Sequence, residues 1–175
     1  IHFCTKGSHL PMRDISYWIE PVDTWRISKI ITDGYQMTAE HLHTHHELSF
    51  NFSYVPIRHS INGHLYETNT PYIVYRAPFT LHSSNTLNND PYIRYKLDLN
   101  PYLFSIYDGI ISMGNFHNAN EYIIPATNDQ MESFRHLLDM LDEYYQTGNN
   151  NSFDKTCVGL LAAIFGKLSN LSDHV

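Results

Sequence analysis

The chain has 175 residues, 42% of them hydrophobic and 14% aromatic, enough apolar material for one domain with its own core. Its formal charge of -7, from 11 Lys and Arg against 18 Asp and Glu, argues against direct gripping of a phosphate backbone, which needs clustered cations. No apolar run reaches the roughly 18 residues of a membrane span, and Cys4 and Cys157 are too isolated for a disulfide framework, so a reducing, cytoplasmic setting is expected.

In chain order, Trp18 and Trp25 come first and read as an N-terminal arm. An arm folded over a barrel mouth would lay an indole on a ligand, and plain core packing is the simpler alternative. "ELSFNFSYV" then alternates cleanly, with Leu48, Phe50, Phe52 and Tyr54 apolar and Glu47, Ser49, Asn51 and Ser53 polar, the period of a two-faced strand. Asn62-Gly63 lies between two extended segments and predicts a type I′ hairpin, because both residues tolerate positive φ. "PYIVYRAP" and "YIRYKLDL" are further strands, separated by a polar loop "SSNTLNNDP", and the β region extends to about "EYIIP", Glu121 to Pro125. Short strands between turn signals indicate a sandwich or closed barrel.

After Pro125 the period becomes helical. Thr127 and Gln130 form a capping box ahead of Met131, Phe134, Leu138, Leu141 and Tyr145, and "TGNNNS" stops that helix. A second helix runs from about Phe153 to Leu171. Cys157, Leu161, Ile164, Leu168 and Leu171 recur along it at intervals of four and three, which fits either a dimer seam or packing on the same domain. Gly159, Ala163 and Gly166 form a stripe of small residues beside that seam.

The chemistry concentrates in "HLHTHHELSF", with four histidines and Glu47 within seven residues. Strand parity puts His41, His43, His45, Glu47, Ser49 and Asn51 on one face. That face either lines a barrel lumen, with the apolar face covered by the C-terminal helices, or is simply solvated. His41, His43 and Glu47, with His82 as a distant fourth, are donors of the kind that bind a divalent first-row ion such as Zn, Ni, Mn or Fe. His45 and His46 are expected to be polar surface or turn residues, as are His2, His9, His64, His117 and His174.

His41-x-His43-x-x-x-Glu47, the hairpin "INGHLYE" and "PFTLH" with Pro78 and His82 together resemble the paired motifs of the cupin superfamily. "NDPYIRYKLDLNPYL" is similar to the strand and Pro-Tyr-Leu turn that follow those motifs in AraC-type transcription regulators, and the helical segment Thr127 to Leu171 is similar to their dimerisation helices. The resemblance covers about Ile30 to Leu171. It implies a mainly β fold, a cupin (double-stranded β-helix or jelly-roll) barrel followed by a C-terminal antiparallel two-helix hairpin. Residues 1–125 would be the effector-binding barrel with its N-terminal arm and 126–175 the dimerisation hairpin, with a helix-turn-helix DNA-binding domain expected downstream. Two glycines usual in the family are absent, near "SYVPIR" and at Thr70-Pro71, which leaves loop conformations open.

These readings predict a bacterial sensor domain and no catalytic residue. A small molecule such as a sugar would be bound by His41, His43, Glu47 and His82, with Asn51, Arg58, Tyr95 and Trp18 as wall residues. A divalent metal on His41, His43, Glu47 and His82 is the rival expectation, as in a stand-alone metal-dependent cupin dioxygenase or isomerase. A homodimer would form through Cys157, Leu161, Ile164, Leu168 and Leu171, and DNA would be contacted only through the further domain.

Overall fold

The computed structural model describes residues 22–37, 39–111, 121–149 and 153–172. Among the described residues, eight strands form two antiparallel sheets. β1 (Trp25–Asp33), β7 (Pro91–Leu99), β2 (His46–Asn51), β5 (Tyr72–Arg76) and β8 (Glu121–Pro125) lie in that order in a five-stranded sheet. β4 (His64–Thr68), β3 (Ile57–Ile61) and β6 (His82–Thr86) form a three-stranded sheet facing it. The segment between β1 and β2 is tied to β6 by single bridges, Gln36 to Asn85 and His41 to His82, which close the barrel along that side. Among the described residues, no helix is long and apolar enough to cross a membrane.

The expected turn is present: Asn62 has φ 47° and Gly63 φ 83°, joining β3 to β4 in register from Ile61–His64 to Ile57–Thr68. "SSNT", read as loop, is instead most of β6. Its partner β3 supplies the missing side of the ladder, and Ser and Thr can occupy a strand once both faces are buried. The Pro-Tyr-Leu segment is a full helix, α1 (Pro101–Ile111). Asn100 caps it by accepting the Tyr102 N–H at 2.7 Å, and Pro101 takes the first helical position, where a missing N–H costs nothing.

α2 (Asn128–Tyr144) starts at the expected capping box, with Thr127 accepting from the Gln130 N–H and Gln130 reaching back to the Thr127 N–H. A π-type turn, Tyr145–Asn149, follows it. α3 (Lys155–Ser172) is capped by the Asp154 carboxylate, which accepts from the Thr156 and Cys157 N–H groups.

The five-stranded sheet is two-sided. Leu48, Phe50, Ile73, Tyr75, Tyr95, Leu97 and Leu99 join Met131, Phe134, Leu138, Leu141, Leu161, Ile164 and Phe165 in one apolar core between sheet and helices. The opposite face looks toward the small sheet, where Ile57, Tyr72, Val74 and Tyr92 form a second, minor cluster. Ser49 and Asn51, which would be wet on an ordinary half-exposed strand, are 1% and 0% exposed. Of the two expectations for the polar face, the lumen is therefore the one realised.

The dimer seam read from the sequence needs correction. Cys157, Leu161, Ile164 and Leu168 are fully buried in their own chain and Leu171 nearly so, all within the helix-side core. Sheet, α1 and α2 occupy the seam, so those side chains pack within their own chain. Gly159 and Ala163 are exposed on the outer face of α3, next to Val158.

Candidate functional site

Strand alternation delivers a polar cluster to the barrel interior. β2 contributes Glu47 and Ser49, β5 contributes Arg76, β6 contributes His82 and Ser84, and β7 contributes Arg94, Lys96 and Asp98. His41 enters from the segment before β2, its main chain exchanging two hydrogen bonds with His82 at 3.0 and 2.9 Å. Tyr35, Met37, His41, Glu47, Arg76, His82, Ser84, Arg94 and Lys96 enclose a cavity of about 40 Å³. That is room for two or three waters at the ~10–15 Å³ each needs by this measure.

Glu47 is the hub. Its Oε1 accepts from Arg76 at 2.5 Å and from the Ser49 hydroxyl at 2.8 Å, while Oε2 lies 3.2 Å from His43 Nε2 and 3.9 Å from His82 Nε2. Burial would push this carboxyl up, but Arg76, the His43 contact and His82 outweigh it and hold it well below the ordinary carboxylate range. The group is a buried anion whose charge is satisfied by its neighbours.

Main-chain carbonyls orient two of the imidazoles. A backbone carbonyl can only accept, so His43 Nδ1–H donates to the His45 carbonyl at 2.9 Å and His82 Nδ1–H to the Thr80 carbonyl at 2.8 Å. Burial, helped by Arg76, lowers His82 to about 2, and burial lowers His41 to about 4. Both are neutral at pH 7, and His82 is left with its Nε2 lone pair free to accept. Ligand atoms of His41, His43 and His82 all lie within 4.8 Å of one another. Three imidazoles this close together, two of them oriented by carbonyl hydrogen bonds, fit a first-row divalent cation.

Of the eight expected ligand-binding residues, His41, Glu47 and His82 line the cavity, and His43 stands beside them. Asn51 is on the same face further along β2, its side chain bonded to the Ser53 main chain. Two expectations are corrected. Arg58 points outward from β3, half exposed and paired with Glu67 at 2.7 Å, because parity turns His59 inward in its place. Tyr95 faces the helices and donates its hydroxyl to Asp139, because Arg94 and Lys96 take the inward positions of β7. Trp18 lies outside the described residues. Trp25 packs in the helix-side core against Tyr144 and Tyr145.

His45 and His46 are also not surface residues. His45 is 3% exposed and stacked on His43 with centroids 3.9 Å apart, its Nε2 3.4 Å from Asp98. His46 stacks on Phe104 at 3.9 Å and bonds the Tyr75 hydroxyl. His64 is exposed beside the hairpin turn, as expected; His2, His9, His117 and His174 lie outside the described residues.

The sequence reading missed the cations. Arg76 is opposite Glu47 in the β2–β5 register, and the alternation of β7 turns Arg94, Lys96 and Asp98 to the same side.

No family model matches the sequence, and no curated protein is detectably similar to it. Solved structures are. Apo ToxT K231A from Vibrio cholerae aligns over 89% of this chain and 56% of its own, with TM-score 0.57 and 7% identity. The fold is that of ToxT. Unsaturated fatty acid-bound wild-type ToxT from the same organism gives TM-score 0.53 at 9% identity, over 89% of this chain and 57% of its own. A cupin protein from Bacteroides fragilis aligns over 46% of this chain and 69% of its own at 14% identity, with a TM-score of only 0.37. ToxT is an AraC-family regulator, so the fold expected of a cupin-type regulator domain, barrel then C-terminal helices, is the fold found. The chain spans about half the length of the ToxT chains it matches.

Proposed function

We propose that this chain is the effector-sensing domain of an AraC-type transcription regulator acting in the cytoplasm, without enzymatic activity of its own. A small molecule binds among the polar groups of the barrel, and its presence is passed through the C-terminal helices to DNA-binding units in the longer protein. The observation that carries this reading is the position of the cavity: β7 lines it with Arg94 and Lys96 and packs Tyr95 and Leu97 on the helices from its other face. The likeness to ToxT, which includes the helices and has been solved with an unsaturated fatty acid, supports the same reading.

At about 40 Å³ the cavity is smaller than a sugar and far below the ~300–1,000 Å³ of ordinary ligand sites. A larger effector therefore binds only with movement of a wall. Such a ligand binds the open arrangement better than the closed one, which is the condition for a population shift. Homodimerisation, if it uses α3, uses its outer face around Val158, Gly159 and Ala163 rather than the filled seam.

A melting-temperature screen of this protein against small metabolites tests the reading. A compound that stabilises the wild type, loses its effect in His41→Ala and changes transcription from a reporter driven by the full-length protein supports it. A stabilising compound that the protein consumes catalytically overturns it.

The imidazole geometry favours one second reading, a metal-dependent cupin enzyme, a dioxygenase or isomerase. His41, His43, His82 and Glu47 would hold the ion, which supplies Lewis-acid or oxygen chemistry when bound. Stoichiometric metal together with turnover would establish it.

A further inference from the structure

Three cations line the cavity, Arg76, Arg94 and Lys96, against one carboxylate, Glu47. Arg76 is satisfied by Glu47, while Lys96 lies 3.2 Å from Asp98 and Arg26 reaches the same carboxylate oxygen at 2.7 Å. Arg94 is different. It is 5% exposed, and among the described residues it has neither an ion pair nor a hydrogen-bond acceptor; its Nε is buried without a partner. Its guanidinium lies over the Tyr35 ring at 4.6 Å, a contact that leaves the edge donors unused. Glu47 favours the Arg94 charge electrostatically but spends its direct contacts on Arg76, Ser49 and His43; a buried donor left without an acceptor is costly, and this one lines the cavity.

We propose that the cavity is a carboxylate site, with the Arg94 guanidinium as its anchor and Lys96 as a second positive charge. This deepens the sensing reading above and rests on it. The planar fork of arginine matches the two oxygens of a carboxylate, and a carboxyl group fits a space of two or three waters, whereas a tetrahedral phosphate fits poorly. Glu47 and Asp98 cannot serve in its place, since their strong contacts are with Arg76, Ser49, Arg26 and Lys96. The ligand is either a short acid taken up whole or the head group of a longer one.

Titration calorimetry and thermal melts with formate, acetate, decanoate and oleate, against sodium chloride at matched ionic strength and inorganic phosphate, test this. Saturable binding of a carboxylate is expected, with affinity at least tenfold weaker in Arg94→Met. Ligand-free Arg94→Met is expected to melt no lower than wild type, because a buried guanidinium with an unpartnered Nε is gone. If Arg94→Met does not fold, Arg94→Lys decides: it keeps the charge without the fork, and unchanged affinity overturns the proposal.

Binding of formate or acetate identifies a whole small acid, and binding of the long acids alone identifies a head group. Absence of saturable binding by every carboxylate, or saturation by phosphate alone, overturns the site. A neutral metabolite that binds where carboxylates fail removes this proposal and leaves the sensing reading. Carboxylate binding without any transcriptional response in the full-length protein does the reverse.

Discussion

The Tyr95 hydroxyl donates to the Asp139 carboxylate of α2, and Tyr95 adjoins Arg94, which faces the cavity on the other side of the same strand. Lys29 of β1 bonds the same carboxylate at 2.8 Å, so one acidic residue of α2 gathers two strands. A displacement of β7 at the cavity thus acts on a helix through a polar contact as well as through the apolar core.

Tyr95→Phe removes the link while keeping the ring. Asp139 is nearly half exposed, so the loss of stability should be modest, about 1 kcal/mol in denaturant unfolding. Ligand affinity should stay unchanged while the transcriptional response of the full-length protein falls. An undiminished response would show that the apolar contacts alone carry the coupling.

Glu47→Ala should be far more damaging, because Arg76 then loses its buried partner and no carboxylate remains on the cavity wall. Breaking one side of a buried pair costs about 3–5 kcal/mol. The double variant Glu47→Leu with Arg76→Met should recover much of that loss, and urea midpoints of the single and double variants measure the coupling.

Acid should weaken the fold well above the carboxylate range. His59 is 1% exposed, and burial, aided by Arg76, lowers it to about 3. Below about pH 6.5 the unfolded chain takes up a proton on this residue that the folded chain refuses until about pH 3, so stability falls with pH across that window. The slope is at most about 1.4 kcal/mol per pH unit for each such group. His41 and His82 act in the same direction, and Glu47 and Asp98, both held low, add to it in stronger acid. Stability measured in urea from pH 7 to 4 should be less steep in His59→Gln by one proton; an identical slope would assign the acid sensitivity elsewhere.

Leu161→Asp places a charge in the helix-side core, where Leu161 is fully buried. The expected result is loss of folding by circular dichroism rather than a folded monomer. Val158→Asp, on the exposed face of α3, is the substitution that should alter association on size exclusion without unfolding the chain.

Metal content separates the two readings of the histidines. Under the enzyme reading, protein purified without nickel resin should carry near-equimolar metal by elemental analysis, and His43→Ala should lose it. Folded wild-type protein without metal would end that reading.

The sequence made much of this architecture readable. Elements with a strong local signal were found: the alternation of β2, the Asn62-Gly63 turn, the Thr127–Gln130 box and the period of α3. β6 escaped because "SSNT" has no apolar alternation and becomes a strand only through its pairing with β3. α1 escaped although Asn100-Pro101 is a start signal. In the site, parity selected His41, His43 and Glu47, but attention to histidine passed over Arg76, Arg94 and Lys96. The period of α3 marks a buried stripe, but periodicity cannot tell which surface covers it, and the chain's own core fills the seam expected for a dimer.

The order of strands in the large sheet bears on how the protein is made. Arg26 of β1 pairs with Asp98 of β7, and β5 gains its outer neighbour only when β8 arrives after α1. During synthesis Glu47 emerges before its partner Arg76, and at roughly 5–20 residues per second the nascent chain carries that acid for about 1.5–6 s before the partner is made. Pairings this distant in sequence place the chain among slow, high-contact-order folders. Its interior is therefore completed late, only after β7 and β8 have been made, and the half-made barrel is the state a chaperone would encounter.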